Sequence, residues 1–158
     1  MNTIQTIKTI VLAYNNQFNA EELPVNRLVV SDDVVSIMAT IIDSQSHTCD
    51  IDNLDDIIEA LESLRDCYGE SEFTLDFDGN EYRLIGEDAI WDIYVDSIKE
   101  IVEDCYDLKL NDMPDFVALS IDWEQTAKNA YVDGYGHTFS GYDGSEEEAG
   151  KYYIFRTN

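Results

Sequence analysis

Acids stand at Asp88, Asp92, Asp96, Glu100 and Asp104, one every four residues through DAIWDIYVDSIKEIVEDCYD, residues 88–107. A second series, Asp52, Asp55, Asp56, Glu59, Glu62 and Asp66, precedes them. Carboxylates at such density can hold a cation, move protons, or present a row of negative charge to a basic surface. For a cation, Asp76, Asp78, Asn80 and Glu87 fall at positions 1, 3, 5 and 12 of a calcium loop. Glu81 stands where that loop needs glycine, and the flanks alternate like strands, so a plain hairpin is the stronger reading. For proton or acyl transfer, His47-Thr48-Cys49 sets a thiol beside an imidazole, but no acid is placed to orient them and His137 is isolated. There is no glycine-rich phosphate loop. We expect no enzyme, no catalytic residue, no metal and no cofactor.

The third use remains. Like charges four apart on a helix face each other and repel by roughly 0.2–0.5 kcal/mol per pair, so the 88–104 series strains its helix by on the order of 1–2 kcal/mol. Only Lys99 is basic between residues 88 and 107. The 158-residue chain carries 34 acids against 9 bases, a net charge of −25, yet is 44% hydrophobic and therefore able to fold. Solubility needs a magnitude of only about 2–8 in a small domain. The excess repels nucleic acid, anionic membrane and acidic substrates, and suits basic partners. It is also focused: residues 51–107 hold 19 acids and 3 bases, against 6 and 2 in residues 1–50 and 9 and 4 in residues 108–158. A device serving hydration alone would be spread more evenly. Duplex DNA carries one charge per ~1.7 Å of axis, so this net charge matches roughly 40 Å of duplex. Two acidic helices on one surface would present a charge about every 3 Å.

These acids need elements to hold them. Ile4, Ile7, Val11, Tyr14 and Phe18 predict a first helix, ended near Leu23-Pro24 and Asn26. Ser31 is a good N-cap, with Asp32 and Asp33 in the first turn of a helix carrying Val34, Ile37, Met38, Ile41 and Ile42. Its β-branched content leaves a strand as the alternative. Asp50 or Asp52 opens a third helix whose apolar face is Ile51, Leu54, Ile57, Ile58, Leu61 and Leu64. FTLDFDGNEYRLIG alternates about Asp78-Gly79-Asn80, a strong hairpin signal. The 88–107 helix follows, burying Ile90, Ile93, Tyr94, Ile101, Val102 and Cys105. Met113-Pro114 starts a short turn or helical piece, IDWEQTAKNAY a further helix, and KYYIFR a final strand pairing near residues 137–142. The Gly- and Tyr-rich stretch from Tyr135 to Lys151 reads as a mobile loop. The fold class is α+β: a small, elongated, highly acidic protein with helices flanking hairpins and two to three small subdomains. We divide it into a helical region 1–49, an acidic helix-hairpin-helix region 50–110, and a C-terminal region 111–158.

Three cysteines, Cys49, Cys67 and Cys105, form no disulfide framework; Cys67 and Cys105 fall on apolar helix faces and read as buried thiols. No signal peptide or spanning segment is read, so a cytoplasmic location is expected.

One segment is more specific. In DMPDFVALSIDWEQTAKNAYVDG, residues 112–134, the residues Asp112, Pro114, Val117, Ala118, Leu119, Asp122 and Glu124 match, and Met113, Asp115, Ile121 and Trp123 conservatively vary, a pattern of Asp-Val-Pro-Glu, a variable residue, Val-Ala-Leu, an aromatic, an apolar residue and Asp-Tyr-Glu. This segment resembles the signature region of ArdA-type antirestriction proteins. Ser120 replaces an aromatic, Lys128-Asn129 replaces Arg-Asp, and the family's usual beginning is not found in residues 1–50. The closing GKYYIFR is similar in character to that family's terminal strand. The resemblance implies a cytoplasmic protein of phages or mobile elements that mimics bent B-form DNA, occupies the DNA groove of type I restriction-modification enzymes, and is modular and often a homodimer. Val117, Leu119, Ile121 and Trp123 are too apolar to imitate phosphates, so the signature segment, Trp123 included, is expected to form core or a self-association face. The phosphate imitation falls to Asp52, Asp55, Asp56, Glu59, Glu62, Asp66, Asp88, Asp92, Asp96, Glu100 and Asp104. The expected partner is the basic DNA-binding surface of a restriction-modification enzyme, with no direct contact to nucleic acid or membrane. The rival readings are a DNA mimic aimed at another protein, such as a CRISPR effector, a repair enzyme or a nucleoid protein, and a salt-adapted acidic structural protein.

Overall fold

A computed structural model describes residues 2–18, 27–45, 54–105, 109–135 and 139–158. Among the described residues, six α-helices and a four-stranded antiparallel sheet make an α+β fold. The chain forms two compact units, Met1–Gly86 with Phe139–Asn158, and Glu87–Thr138. These units do not follow the three consecutive stretches read along the sequence, because the C-terminal strand returns to the hairpin.

In the first unit, α1 (Thr3–Asn15) starts where the Asn2 side chain accepts the Gln5 N–H. It buries Ile7 and Ile10, with Val11 and Tyr14 packed partly against the same core. Ser31 caps α2 (Asp32–Ser44) by accepting the Val34 N–H. This segment is a helix, and its β-branched aliphatic residues are tolerated because they are buried: Val34, Val35, Ile37, Ile41 and Ile42 lie inside with Met38 and Ala39. α3 (Leu54–Cys67) buries Ile57, Ile58, Leu61 and Leu64, whereas Leu54 is half exposed. Ile51, Asp50 and Asp52 lie outside the described residues.

The hairpin joins β1 (Glu72–Phe77) to β2 (Asn80–Gly86) through Asp78 and Gly79, both in the left-handed region at φ 50° and 72°. That two-residue turn matches the strand twist, which is why Asp-Gly is favoured there. β3 (Glu147–Ala149) turns through Gly150 and Lys151 into β4 (Tyr152–Arg156). The sheet order is β1-β2-β4-β3. The final strand thus pairs with residues 147–149 and, at greater length, with β2 (Leu84 opposite Ile154), and among the described residues it forms no ladder with 139–142. Within 139–142, the Gly141 N–H and the Ser140 hydroxyl both donate to the Arg156 carbonyl. The Arg156 guanidinium also lies 3.7 Å over the Tyr142 ring. Much of the stretch read as a mobile loop is therefore tied to the sheet.

One sheet face carries Phe73, Leu75, Phe77, Tyr82, Leu84, Tyr152 and Ile154, which share a core with α1, α2 and α3. Among the described residues no polar or charged residue is buried. The acids among them are therefore all at least partly solvent-exposed, where screening keeps the cost of their charge low.

The second unit is built on α4 (Ile90–Cys105) and α6 (Trp123–Val132). Tyr94 is fully buried between Trp91 and Tyr131, at ring distances of 5.5 and 5.9 Å, and its hydroxyl donates to the Tyr135 carbonyl. Ile90, Ile98 and Ala127 complete the packing. Ile93, Ile101 and Val102 are only half-buried. Cys105 is exposed, which corrects its reading as a buried thiol: it ends the helix two turns past Ile98, the last buried position of α4. Between α4 and α6 lie a 3₁₀ turn, Leu110–Asp112, and the short α5 (Asp115–Ala118). Among the described residues no helix is long and apolar enough to cross a membrane.

Candidate partner-binding acidic surfaces

On α4 the buried positions Ile90, Tyr94 and Ile98 are four apart, so a second four-residue series is carried outward. Asp92, Asp96, Glu100 and Asp104 are all exposed. Four residues advance an ideal helix by about 6 Å and 40°, so this row spans about 18 Å and winds about 120° around the axis. None of the four forms an ion pair among the described residues, and neither does the half-buried Lys99. Asp88 does not belong to the helix. The Ile93 N–H bonds to the Ala89 carbonyl, which makes Ala89 the cap and leaves Asp88 exposed in the turn before it. Its charge still favours the helix N-terminus, but its repulsion of Asp92 is not that of a helical pair.

On α3, Asp55, Asp56 and Glu59 are exposed and Glu62 is half-buried. Asp66 differs. The Arg65 guanidinium bonds its carboxylate at 2.8 Å, so its charge is neutralised within the chain. That bond, with Glu62 nearby, holds the Arg65 guanidinium above its ordinary value. Asp52 lies outside the described residues, as do His47, Cys49 and His137.

Asp56 and Glu59 also line a groove of about 390 Å³ with Asp76 and Asp78 of the hairpin. From the sequence, Asp76 and Asp78 read as candidate cation ligands and Asp78 also as a turn residue, not as groove positions. No local signal marks a groove position, because the groove exists only where α3 packs beside β1. The calcium arrangement is not assembled: the Asn80 side-chain oxygen accepts from Arg156 at 2.5 Å, and Asp76 is on a strand paired with Glu81. Among the described residues no group of three or more His, Cys, Asp or Glu side chains could hold a metal ion.

The signature segment divides by role. Pro114 leads into α5, and Asp122 caps α6 by accepting the Gln125 N–H. Glu124 pairs with Lys128 at 2.8 Å, one turn on, which raises the Lys128 ammonium's pKa. Asp112 is exposed in the 3₁₀ turn; Ala118 and Trp123 are half-buried. Val117 is 40% exposed and Leu119 86%, beside Phe116 at 75%. Core packing is therefore excluded for these apolar side chains, because a four-residue helix is too short to turn them under a neighbour. Self-association remains open to them.

No family model, no curated protein and no solved structure matches this chain.

Proposed function

We propose that this protein is a DNA-mimic inhibitor that occupies the DNA-binding groove of a host defence enzyme, a type I restriction-modification complex before others. The observation that carries this reading is the α4 row: four exposed acids in succession with no ion pair among the described residues. Elsewhere in the chain Lys8, Arg65, Arg83 and Lys128 each pair with an acid, so bases are available to fold this sequence but are not spent on the row. In a complex, Arg and Lys of a DNA channel bond these carboxylates as they would phosphates, and release their counterions on doing so. The repulsion left standing in the free protein is then relieved. Asp55, Asp56, Glu59 and Glu62 add charge from α3. The resemblance of residues 112–134 to the ArdA-type signature supports the choice of target and the bacterial cytoplasm as the place of action. Phe116, Val117 and Leu119 offer an apolar surface for a homodimer.

The test is competition. Purified type I restriction-modification complex is bound to labelled duplex, and this protein is titrated in at two salt concentrations. Displacement that weakens with salt, and is lost when Asp92, Asp96, Glu100 and Asp104 become amides together, supports the reading. No displacement from that complex, but release by duplex DNA of some other DNA-binding protein captured from a bacterial lysate, keeps the mechanism and changes the target. No basic partner in either experiment refutes it in favour of a hydration role. A single amide substitution that abolished binding would refute the distributed mechanism, since many modest contacts should share the affinity.

A further inference from the structure

The groove between α3 and β1 has a second property besides its acids. β1 is an edge strand that pairs only with β2 among the described residues. The two-residue turn makes Phe77 and Asn80 the closing hydrogen-bonded pair, so Leu75 and Phe73 also bond toward β2. Glu72, Thr74 and Asp76 consequently direct their backbone N–H and C=O groups away from the sheet. Those of Thr74 and Asp76 have no backbone partner among the described residues. The groove meets every residue from Thr74 to Gly79. Side chains of a strand alternate between faces, so a groove touching consecutive residues runs along the strand's edge. Its opposite wall is one stripe of α3, Asp56, Glu59, Ala60 and Ser63.

We propose that this groove takes an extended, Lys- and Arg-rich peptide segment of a partner protein as an added strand beside β1. The main-chain ladder to Thr74 and Asp76 supplies affinity, as in other strand-addition interfaces. The charge selects the occupant: Asp56 and Glu59 on the helix wall and Asp76 and Asp78 along the strand edge line the groove, and among the described residues no Lys or Arg lines it. Basic side chains two apart on an added strand reach the same side, about 7 Å from one another. An acidic or duplex ligand is repelled from both walls. Asp56 and Glu59 are shared with the proposed mimic surface, but the α4 row takes no part here, so the two readings fail separately.

The probe is a fluorescein-labelled peptide alternating Lys or Arg with Val and Thr. Its control has the same sequence with alternate backbone nitrogens methylated, which keeps every charge and removes the donors of one edge. The peptide methylated on the edge facing β1 should bind at least tenfold more weakly by fluorescence anisotropy, and a smaller loss overturns the proposal in favour of plain polyelectrolyte attraction. Hydrogen exchange read by NMR should show the Thr74 and Asp76 amides protected only when the unmethylated peptide is bound; no added protection overturns it as well. Protection that rises with protein concentration in the absence of peptide would assign the edge to a second copy of this chain, and also overturns it. Asp92→Asn/Asp96→Asn/Glu100→Gln/Asp104→Asn should leave peptide binding within twofold at 0.15 M salt. A larger loss would mean that the peptide binds the row and not the groove.

Discussion

Removing the charge of the α4 row should stabilise the free protein. Asp92→Asn, Asp96→Asn, Glu100→Gln and Asp104→Asn together relieve three like-charged pairs four residues apart. At roughly 0.2–0.5 kcal/mol per pair the gain is about 0.6–1.5 kcal/mol. The helix dipole contributes little to the sum. Asp92, in the first turn, loses a favourable interaction, and Asp104, in the last, loses an unfavourable one of similar size. For a chain of this length each kcal/mol moves Tm by roughly 2–4 °C, so the expected rise is about 1–6 °C. Thermal unfolding followed by circular dichroism at 0.02 M and at 1 M NaCl measures it. The Debye length at 1 M is about 3 Å, half the ~6 Å axial spacing of the row, so the gain should vanish there. A variant no more stable than the parent at low salt would refute the claim that the row is strained. A gain unchanged at 1 M would show that it comes from helix propensity or packing instead of charge.

Three further outcomes follow from local geometry. Gly79→Val places a branched side chain at φ 72° in the hairpin turn and should cost about 1–2 kcal/mol in urea unfolding; an unchanged midpoint would mean the turn is not held in that conformation. In a Cys49→Ser background, the exposed Cys105 should react with a thiol reagent at pH 8 well before Cys67, whose thiol burial and the neighbouring Glu70 and Asp66 push upward; equal rates would contradict the exposed end of α4. The Asp143 carboxyl accepts from the Ser145 hydroxyl and N–H and from the Ser140 hydroxyl, which holds it below the usual value of about 3.9. Its contribution to stability is full above that value and is lost as pH falls through the lowered one. NMR titration should show the Asp143 midpoint rising in Ser145→Ala, and no change would discount the bond.

The parts of this fold that were legible in the sequence are those fixed by neighbours a few residues away. The Ser31 cap, the Asp78-Gly79 turn and the apolar stripes of α2 and α3 each follow from a local period or a single conformational demand. The return of β4 to β2 was not legible, because Leu84 and Ile154 are brought together by a shared core and not by a turn. Nor was the fate of apolar residues on short elements. Helical period says which side Leu119 and Cys105 occupy, but not whether any neighbour covers that side. The Arg65–Asp66 pair escaped for a related reason: adjacent residues on a helix do not normally face each other, and only the bend of the guanidinium joins them. The acids of α4 were legible as a series because their four-residue spacing is that of the buried Ile90, Tyr94 and Ile98.

Salt separates the mimic from a chain whose charge serves hydration, but only if its whole range is used. In either case added salt screens repulsion among 34 acids, so a first rise in stability decides nothing. The two diverge once screening is complete. The row repels itself over about 6 Å, and the Debye length falls to that distance at roughly 0.3 M salt. If repulsion in the free state is the whole effect, Tm should climb most steeply up to about that concentration and level off by about 1 M in potassium chloride. A protein that uses its carboxylates to organise hydrated cations should go on gaining into the molar range. Partner binding moves oppositely: each phosphate-like contact that releases a counterion makes affinity fall as salt rises, over the same interval in which the free protein becomes more stable. A stability plateau by about 1 M together with a steep loss of partner affinity is the signature expected here. Continued stabilisation beyond 1 M, with no partner whose binding falls with salt, would show that the row is retained for its water.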